Sequence, residues 1–156
     1  MVRPTVDHEL GFLLARASAI LVRSTNAALS RHGLRVRSYT ALSLVCDAPA
    51  GVHQRRVGAV MGLDPSQLVL LLDELEGDGL VVRTADPSDR RHKLIVATEA
   101  GHSVCAQARH SSDHACRQHF GGEDEDLAHR MREVLHRAVF SADPAGTSRH
   151  GGGEFG

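Results

Sequence analysis

Apolar positions along this chain fall mostly into helical stripes that glycine and proline interrupt. From Asp7 to about His32, Leu10, Leu13, Leu14, Ala17, Leu21 and Ala28 recur at the spacing of one helix face. Arg16 and Arg23 fall among the polar positions, and Gly33 supplies a stop. Ser38 to about Ala48 reads as a second helix with Tyr39, Leu42, Val45 and Cys46 on one side, broken by Ala48-Pro49-Ala50-Gly51. A short third helix runs from about His53 to Met61 and ends at Gly62. The fourth has the clearest entry signals: Asp64 as cap, Pro65 in the first helical position, and Gln67 completing a capping-box pattern. Leu63 and Leu68 sit where a hydrophobic staple closes, and Gly77 and Gly79 end the helix.

The period then changes. Leu80–Thr84 and Arg91–Ala97 read as the strands of a β-hairpin, joined by a DPSD loop that puts Asp86 and Pro87 where a type I turn wants them. Two strands alone are marginal, so the pair must lean on the helices; Leu80, Val82, Leu94 and Val96 are the apolar positions assigned to that contact. Thr98 caps a fifth helix reaching about Phe120. After Gly121-Gly122, Glu123–Asp126 opens a sixth, running to about Phe140 with Leu127, Met131, Val134, Leu135 and Ala138 as its stripe. Beyond Ser141 the chain turns to Gly, Ser, Pro and His without periodicity, and 141–156 is expected to be a disordered tail.

The expected fold is therefore mainly α with a small β-hairpin. The short glycine-containing link between the third and fourth helices is the mark of a helix-turn-helix, whose second helix enters the major groove. A hairpin with Arg90 and Arg91 at its tip adds a wing, so 37–97 reads as a winged helix-turn-helix that binds double-stranded DNA. The helices at 7–32 and 98–140 are more than so small a lobe needs. Their stripes are most simply buried in a two-fold homodimer, which would present two recognition helices to a near-palindromic site. One domain over 1–140 is the expected organisation. Ser66 and Gln67, at the end of the fourth helix that faces the groove, are the candidate base readers, since Gln pairs bidentately with adenine and exposed leucines can meet thymine methyls. Ser38 and Gln54, at the starts of the preceding helices, complete the candidate DNA-binding set with Asp89, Arg90 and Arg91.

Charge changes this picture little. The net charge is −1, and even between Arg31 and Thr98 acids nearly balance bases. The cations are clustered, however, at Arg31/Arg35/Arg37, Arg55/Arg56 and Arg90/Arg91/Lys93, and phosphate neutralisation is local. Cys46, Cys105 and Cys116 have no metal-like spacing, which argues against a disulfide framework or a zinc finger. No apolar run approaches a membrane span and the first residues lack a signal peptide's apolar region, so a cytoplasmic protein without a membrane partner is expected. Nothing resembles a nucleophile elbow, a phosphate-cradling glycine loop or a metalloprotease helix; no catalytic residue and no cofactor is assigned.

Two runs give the chain a family likeness. Asp89-Arg90-Arg91, followed by a strand ending in Ala97-Thr98-Glu99-Ala100-Gly101, and Leu75-Glu76-Gly77-Asp78-Gly79-Leu80-Val81-Val82-Arg83 resemble the wing and post-recognition segments of the MarR (multiple antibiotic resistance regulator) family. Alanine stands where the family usually has leucine before Thr98. The resemblance spans roughly Asp7 to Phe140. It implies a triangular homodimer whose first, fifth and sixth helices interlock between subunits, and a wing that reaches into a minor groove. Arg91 matches the groove-inserting arginine and Asp89 the carboxylate that shapes the wing; a narrow groove concentrates negative potential and attracts such an arginine. It also implies a repressor with an effector pocket between the dimer helices and the DNA-binding lobe. Phe12, Arg16, Tyr39 and Cys46 are the residues expected there, with Arg16 available to pair with an anionic small molecule.

This sequence departs from many relatives in having no basic residue inside the recognition helix. Two other readings stand beside the regulator. His110 and His114, four apart on the fifth helix with Cys116 and His119 near, suggest a zinc-responsive regulator, though spacing fixes no third ligand. A protein-interaction module with a degenerate helix-turn-helix is the other alternative. For Cys46, a buried inert thiol is expected rather than a redox sensor.

Overall fold

The computed structural model describes residues 5–119 and 125–140. Its helices are α1 (Leu10–Leu29), α2 (Val36–Cys46), α3 (Gln54–Met61), α4 (Pro65–Gly77), α5 (Glu99–His119) and α6 (Glu125–Phe140). Its strands are β1 (Val52–His53), β2 (Val81–Ala85) and β3 (Lys93–Ala97). By contacts the chain divides at residue 119/120, so α6 is described by itself. The opening of the sixth helix at Glu123 and Asp124, and the 141–156 tail, lie outside the described residues.

Local signals account for most boundaries. Asp64 Oδ1 accepts the Gln67 backbone N–H at 2.9 Å and caps α4, whose first residue is Pro65, as expected. Gly62, with φ 62°, ends α3 in the left-handed conformation. A Cβ on Gly58 would come within 2.9 Å of Leu68 Cδ2, so the absence of a side chain at residue 58 lets α3 and α4 pack closely without displacing Leu68. The long first helix is less continuous than its stripe suggested. A 3-10 turn, Thr5–His8, precedes it and another, Ser30–His32, follows Leu29. Asn26 Oδ1 accepts the Val36 N–H at 2.8 Å and so ties the end of α1 to the start of α2.

The core of the first unit gathers Leu29, Leu42, Val57, Leu72, Val81 and Ile95, each at 1% exposure or less. Two of these correct the strand assignment. The sheet has three antiparallel strands in the order β1-β3-β2, with Val81 opposite Ala97 and Arg83 opposite Ile95. Val81 and Ile95 therefore point inward, while Val82 is exposed and Leu94 and Val96 are half-buried on the other side. Of the four positions expected to face the helices, only Leu80 is buried. A one-residue shift inverts every side chain of a strand. The extra strand β1 borders β3, with Val52 opposite Ile95, and Gly51 (φ 88°) lets it approach: a Cβ there would meet Leu94 Cβ and Val96 Cγ2 at 3.0 Å.

Thr98 and Gly101 join the sheet to α5. The Thr98 Oγ1 accepts the Gly101 N–H at 2.9 Å and donates to Gly79 O at 2.7 Å, and the Thr98 N–H donates to Leu80 O at 3.0 Å. A Cβ on Gly101 would overlap the Leu80 carbonyl oxygen, so this crossing requires glycine. The threonine–glycine pair quoted from the wing pattern is thus the joint between wing and α5. Among the described residues no helix is long and apolar enough to cross a membrane.

Candidate nucleic-acid interface

The outward side of α4 is set by its inward one. Leu68, Leu72 and Leu75 are buried, which turns Ser66, Leu70, Asp73 and Glu74 away from the core. Ser66 Oγ donates to Asp64 Oδ1 at 2.5 Å, and that hydroxyl together with the Gln67 amide holds the Asp64 carboxyl below its ordinary range. Ser66 thus belongs to the cap, while Gln67 beside it is exposed. Leu70 is 71% exposed and Val69 38%.

The wing is built on two carboxylates. Asp86, only 7% exposed, accepts the Ser88 N–H at 2.7 Å and its hydroxyl at 2.6 Å through Oδ1, while Oδ2 lies 3.3 Å from His53 Nε2. The Asp86 N–H donates to His92 O at 3.0 Å and closes the loop. Asp89 accepts from the Arg91 N–H at 3.0 Å, from Nε at 3.1 Å and from Nη2 at 3.2 Å. This fork leaves the Arg91 side chain 88% exposed yet held in one orientation. Both carboxyls sit below the ordinary range, Asp86 through the Ser88 hydroxyl first and Asp89 through the Arg91 guanidinium first. Arg90 and Lys93 are also exposed, so the tip presents three cations. Asp89 was the expected shape-holder; the structure adds Asp86, which the turn chemistry had marked.

A residue that sequence reasoning left without a role connects these two regions. Arg83 on β2 donates through Nη2 to Asp73 Oδ1 at 2.6 Å and through Nη1 to Glu76 Oε2, and its backbone N–H donates to Glu76 Oε1 at 3.1 Å. Burial works against the guanidinium's charge, but its bonds to the Asp73 and Glu76 carboxylates outweigh it and raise its pKa. The signal was present in Asp73 and Glu76, three apart on one helix face, though nothing in the sequence named their partner.

Of the two remaining expected DNA residues, Ser38 is buried. Its hydroxyl accepts the Arg35 N–H at 2.9 Å and donates to Arg35 O at 3.1 Å, capping α2. Gln54 is half-buried at the first position of α3. The neighbouring Arg35, Arg37, Arg55 and Arg56 are exposed, so the cationic clusters lie on the surface.

The model of the MarR family matches residues 32–92. CouR from Rhodococcus jostii RHA1, in a crystal structure bound to p-coumaroyl-CoA, is 45% identical over 94% of this chain and 100% of its own, with a TM-score of 0.82. A transcriptional regulator of the MarR family, from Rhodococcus sp. RHA1, is 46% identical over 90% of this chain and 98% of its own, with a TM-score of 0.81. The chain belongs to the MarR family. A transcriptional repressor CouR bound to a 23-mer DNA duplex is 26% identical over 90% of this chain and 96% of its own, at 0.72. As a MarR-family protein the chain is a DNA-binding transcriptional regulator and not an enzyme.

Within this MarR chain the effector candidates occupy two places. Phe12 and Arg16 are exposed on the N-terminal half of α1; Tyr39 and Cys46 are half-buried on α2. Arg16 precedes Asn26, the contact to α2, by about 15 Å of helix rise. Cys46 Sγ lies 3.8 Å from Gly101 O, and burial first, then Cys105, push the thiol up to about 12, so it carries no thiolate at neutral pH. Beside them is a group that spacing alone did not expose. Arg109 on α5 donates to Ser43 Oγ and Asp47 Oδ1, both at 3.0 Å, next to Tyr39. Asp47 raises the arginine's pKa, whereas burial raises that of Tyr39 despite Arg109. Tyr39, Ser43 and Asp47 repeat every four residues, but their partner lies 62 or more positions away. His110 and His114 are both exposed, and His114 Nε2 is 3.1 Å from Gln118 Nε2. Among the described residues no three His, Cys, Asp or Glu side chains could hold a metal ion.

Proposed function

We propose that the protein is a homodimeric repressor that binds a near-palindromic operator through α4 and the wing, and that an aromatic acyl-CoA thioester modulates this binding. The observation that carries the reading is the wing tip, where Asp89 holds an otherwise exposed Arg91 guanidinium in a fixed pose. A pre-organised cation on a hairpin meets the negative potential of a narrow minor groove with little ordering cost. Gln54, Gln67, Arg90 and Arg91 then form the DNA-facing set, while Ser38 and Ser66 act by fixing helix starts and Asp89 by fixing the wing.

Dimerisation is supported by apolar side chains exposed in each unit. Leu10, Leu13 and Leu14 lie uncovered on α1, and Val134, Val139 and Phe140 on α6. Faces of this kind on a soluble regulator are covered by a second copy. The effector class is supported by the likeness to the p-coumaroyl-CoA complex over nearly the whole chain. Phe12, Arg16, Tyr39 and Cys46 are the pocket candidates, with Arg109 added to them. The ligand acts by differential affinity for the DNA-competent and DNA-incompetent forms.

Light scattering gives the subunit count, and fluorescence anisotropy with duplexes enriched from a randomised pool gives the affinity. The expected result is a dimer whose affinity falls steeply with salt and drops on adding p-coumaroyl-CoA, but not CoA or p-coumarate. A monomer overturns the dimer, salt-insensitive binding overturns the wing's role, and indifference to the thioester overturns the effector class.

A further inference from the structure

We infer that this regulator discriminates its operator through the C5-methyl groups of thymine, read by Leu70 at the outward pole of α4. The inference rests on the reading that α4 lies in the major groove. Between Pro65 and Gly77 the helix contains no lysine, arginine or histidine. Its hydrogen-bonding readers are few, because the Ser66 hydroxyl is spent on Asp64 and Asp73 is bound by Arg83. Gln67 and Glu74 remain. Leu70 follows Ser66 by one turn, opposite buried Leu68 and Leu72, and is the most exposed large apolar side chain of the described residues. Val69 flanks it, half as exposed.

A single exposed leucine usually needs no explanation. This one stands at the middle of the helix that a helix-turn-helix inserts, where a duplex would cover it. The one apolar feature on the major-groove edge of a base pair is the thymine methyl group. An apolar pole with acidic neighbours fits base edges better than phosphates, which leaves phosphate attraction to the wing and to the arginines outside α4.

Uracil isolates that methyl group, because it lacks the C5-methyl and keeps every hydrogen bond of thymine. The full-length protein is measured by anisotropy on a duplex it has enriched, and on copies carrying uracil for each thymine in turn. Uracil at one or two positions per half-site is expected to weaken binding about fourfold for each methyl lost, the factor for burying one such group. Leu70→Ala, and the polar Leu70→Asn of similar size, should bind the thymine duplex more weakly and ignore uracil at those positions. Circular dichroism melting confirms that both variants fold. Uracil without effect anywhere, or with the same penalty in both variants, overturns the inference while salt-sensitive binding upholds DNA recognition. Failure to enrich any duplex overturns both.

Discussion

The wing and α4, which we propose meet one duplex, carry opposite chemistry. The wing tip is cationic, polar and fixed by hydrogen bonds that Asp86 and Asp89 accept. The outward side of α4 is apolar and acidic, without a basic side chain. On the proposed reading, affinity and discrimination are separated in one module: charge would supply the salt-dependent, sequence-tolerant part, and the helix the contact to base edges. The near-zero net charge, which speaks against a nucleic-acid binder when averaged over the chain, is compatible with this division, because a few placed cations do the neutralising.

The largest effect is expected at the joint between the wing and α5. Gly101→Ala drives a Cβ into the Leu80 carbonyl and should lower stability by about 3 kcal/mol, the upper part of the range for overpacking, as read by denaturant melting. Unchanged stability would mean that the joint yields. Next, two leucines on the same helix should behave oppositely. Leu72→Ala, fully buried, should cost about 3 kcal/mol, whereas Leu70→Ala should stay within about 0.5 kcal/mol in melting yet change DNA binding. Similar melting losses for both would erase the distinction between core and reading side.

Arg91→Ala should weaken operator binding about tenfold, consistent with losing one charge-assisted contact, and flatten the salt dependence, while the melting temperature and the oligomeric state stay put. A loss confined to particular base positions would instead make the wing a sequence reader. The smallest effect is on pH. The Asp86 and Asp89 carboxyls are held low in the fold, so their contribution is complete above the ordinary aspartate range, about pH 4, and fades as pH falls through the depressed values. Amide exchange at Ser88 and Arg91 should therefore be flat from neutral pH down to that range once the intrinsic exchange rate is divided out, and should quicken below it. Loosening already near neutrality would remove these carboxylates as the cause.

The sequence made the regulator module legible where chemistry is local. The cap at Asp64, the glycines after α3 and α4, the turn at Asp86-Pro87 and the Thr98–Gly101 pair each act within a few residues, so their meaning survives without coordinates. Strand facing did not survive. Leu80-Val81-Val82 and Leu94-Ile95-Val96 are continuous apolar runs, and without alternation nothing local says which residue turns inward. The two-residue β1 carries too few positions to show a period. Arg83 with Asp73 and Glu76, and Arg109 with Asp47, were hidden because each pairs a helix with something the chain meets only after folding. For the proposed effector residues the obstacle is different: α1 places Phe12 and Arg16 on its exposed half, away from Tyr39 and Cys46.

The Arg83 clamp has a consequence for regulation. One guanidinium, gripped by two acids of α4 and carried on the strand that leads into the wing, makes helix and finger travel together. Under the proposed DNA reading, a signal that moves one of them moves the other as well, and both would leave the duplex in a single event.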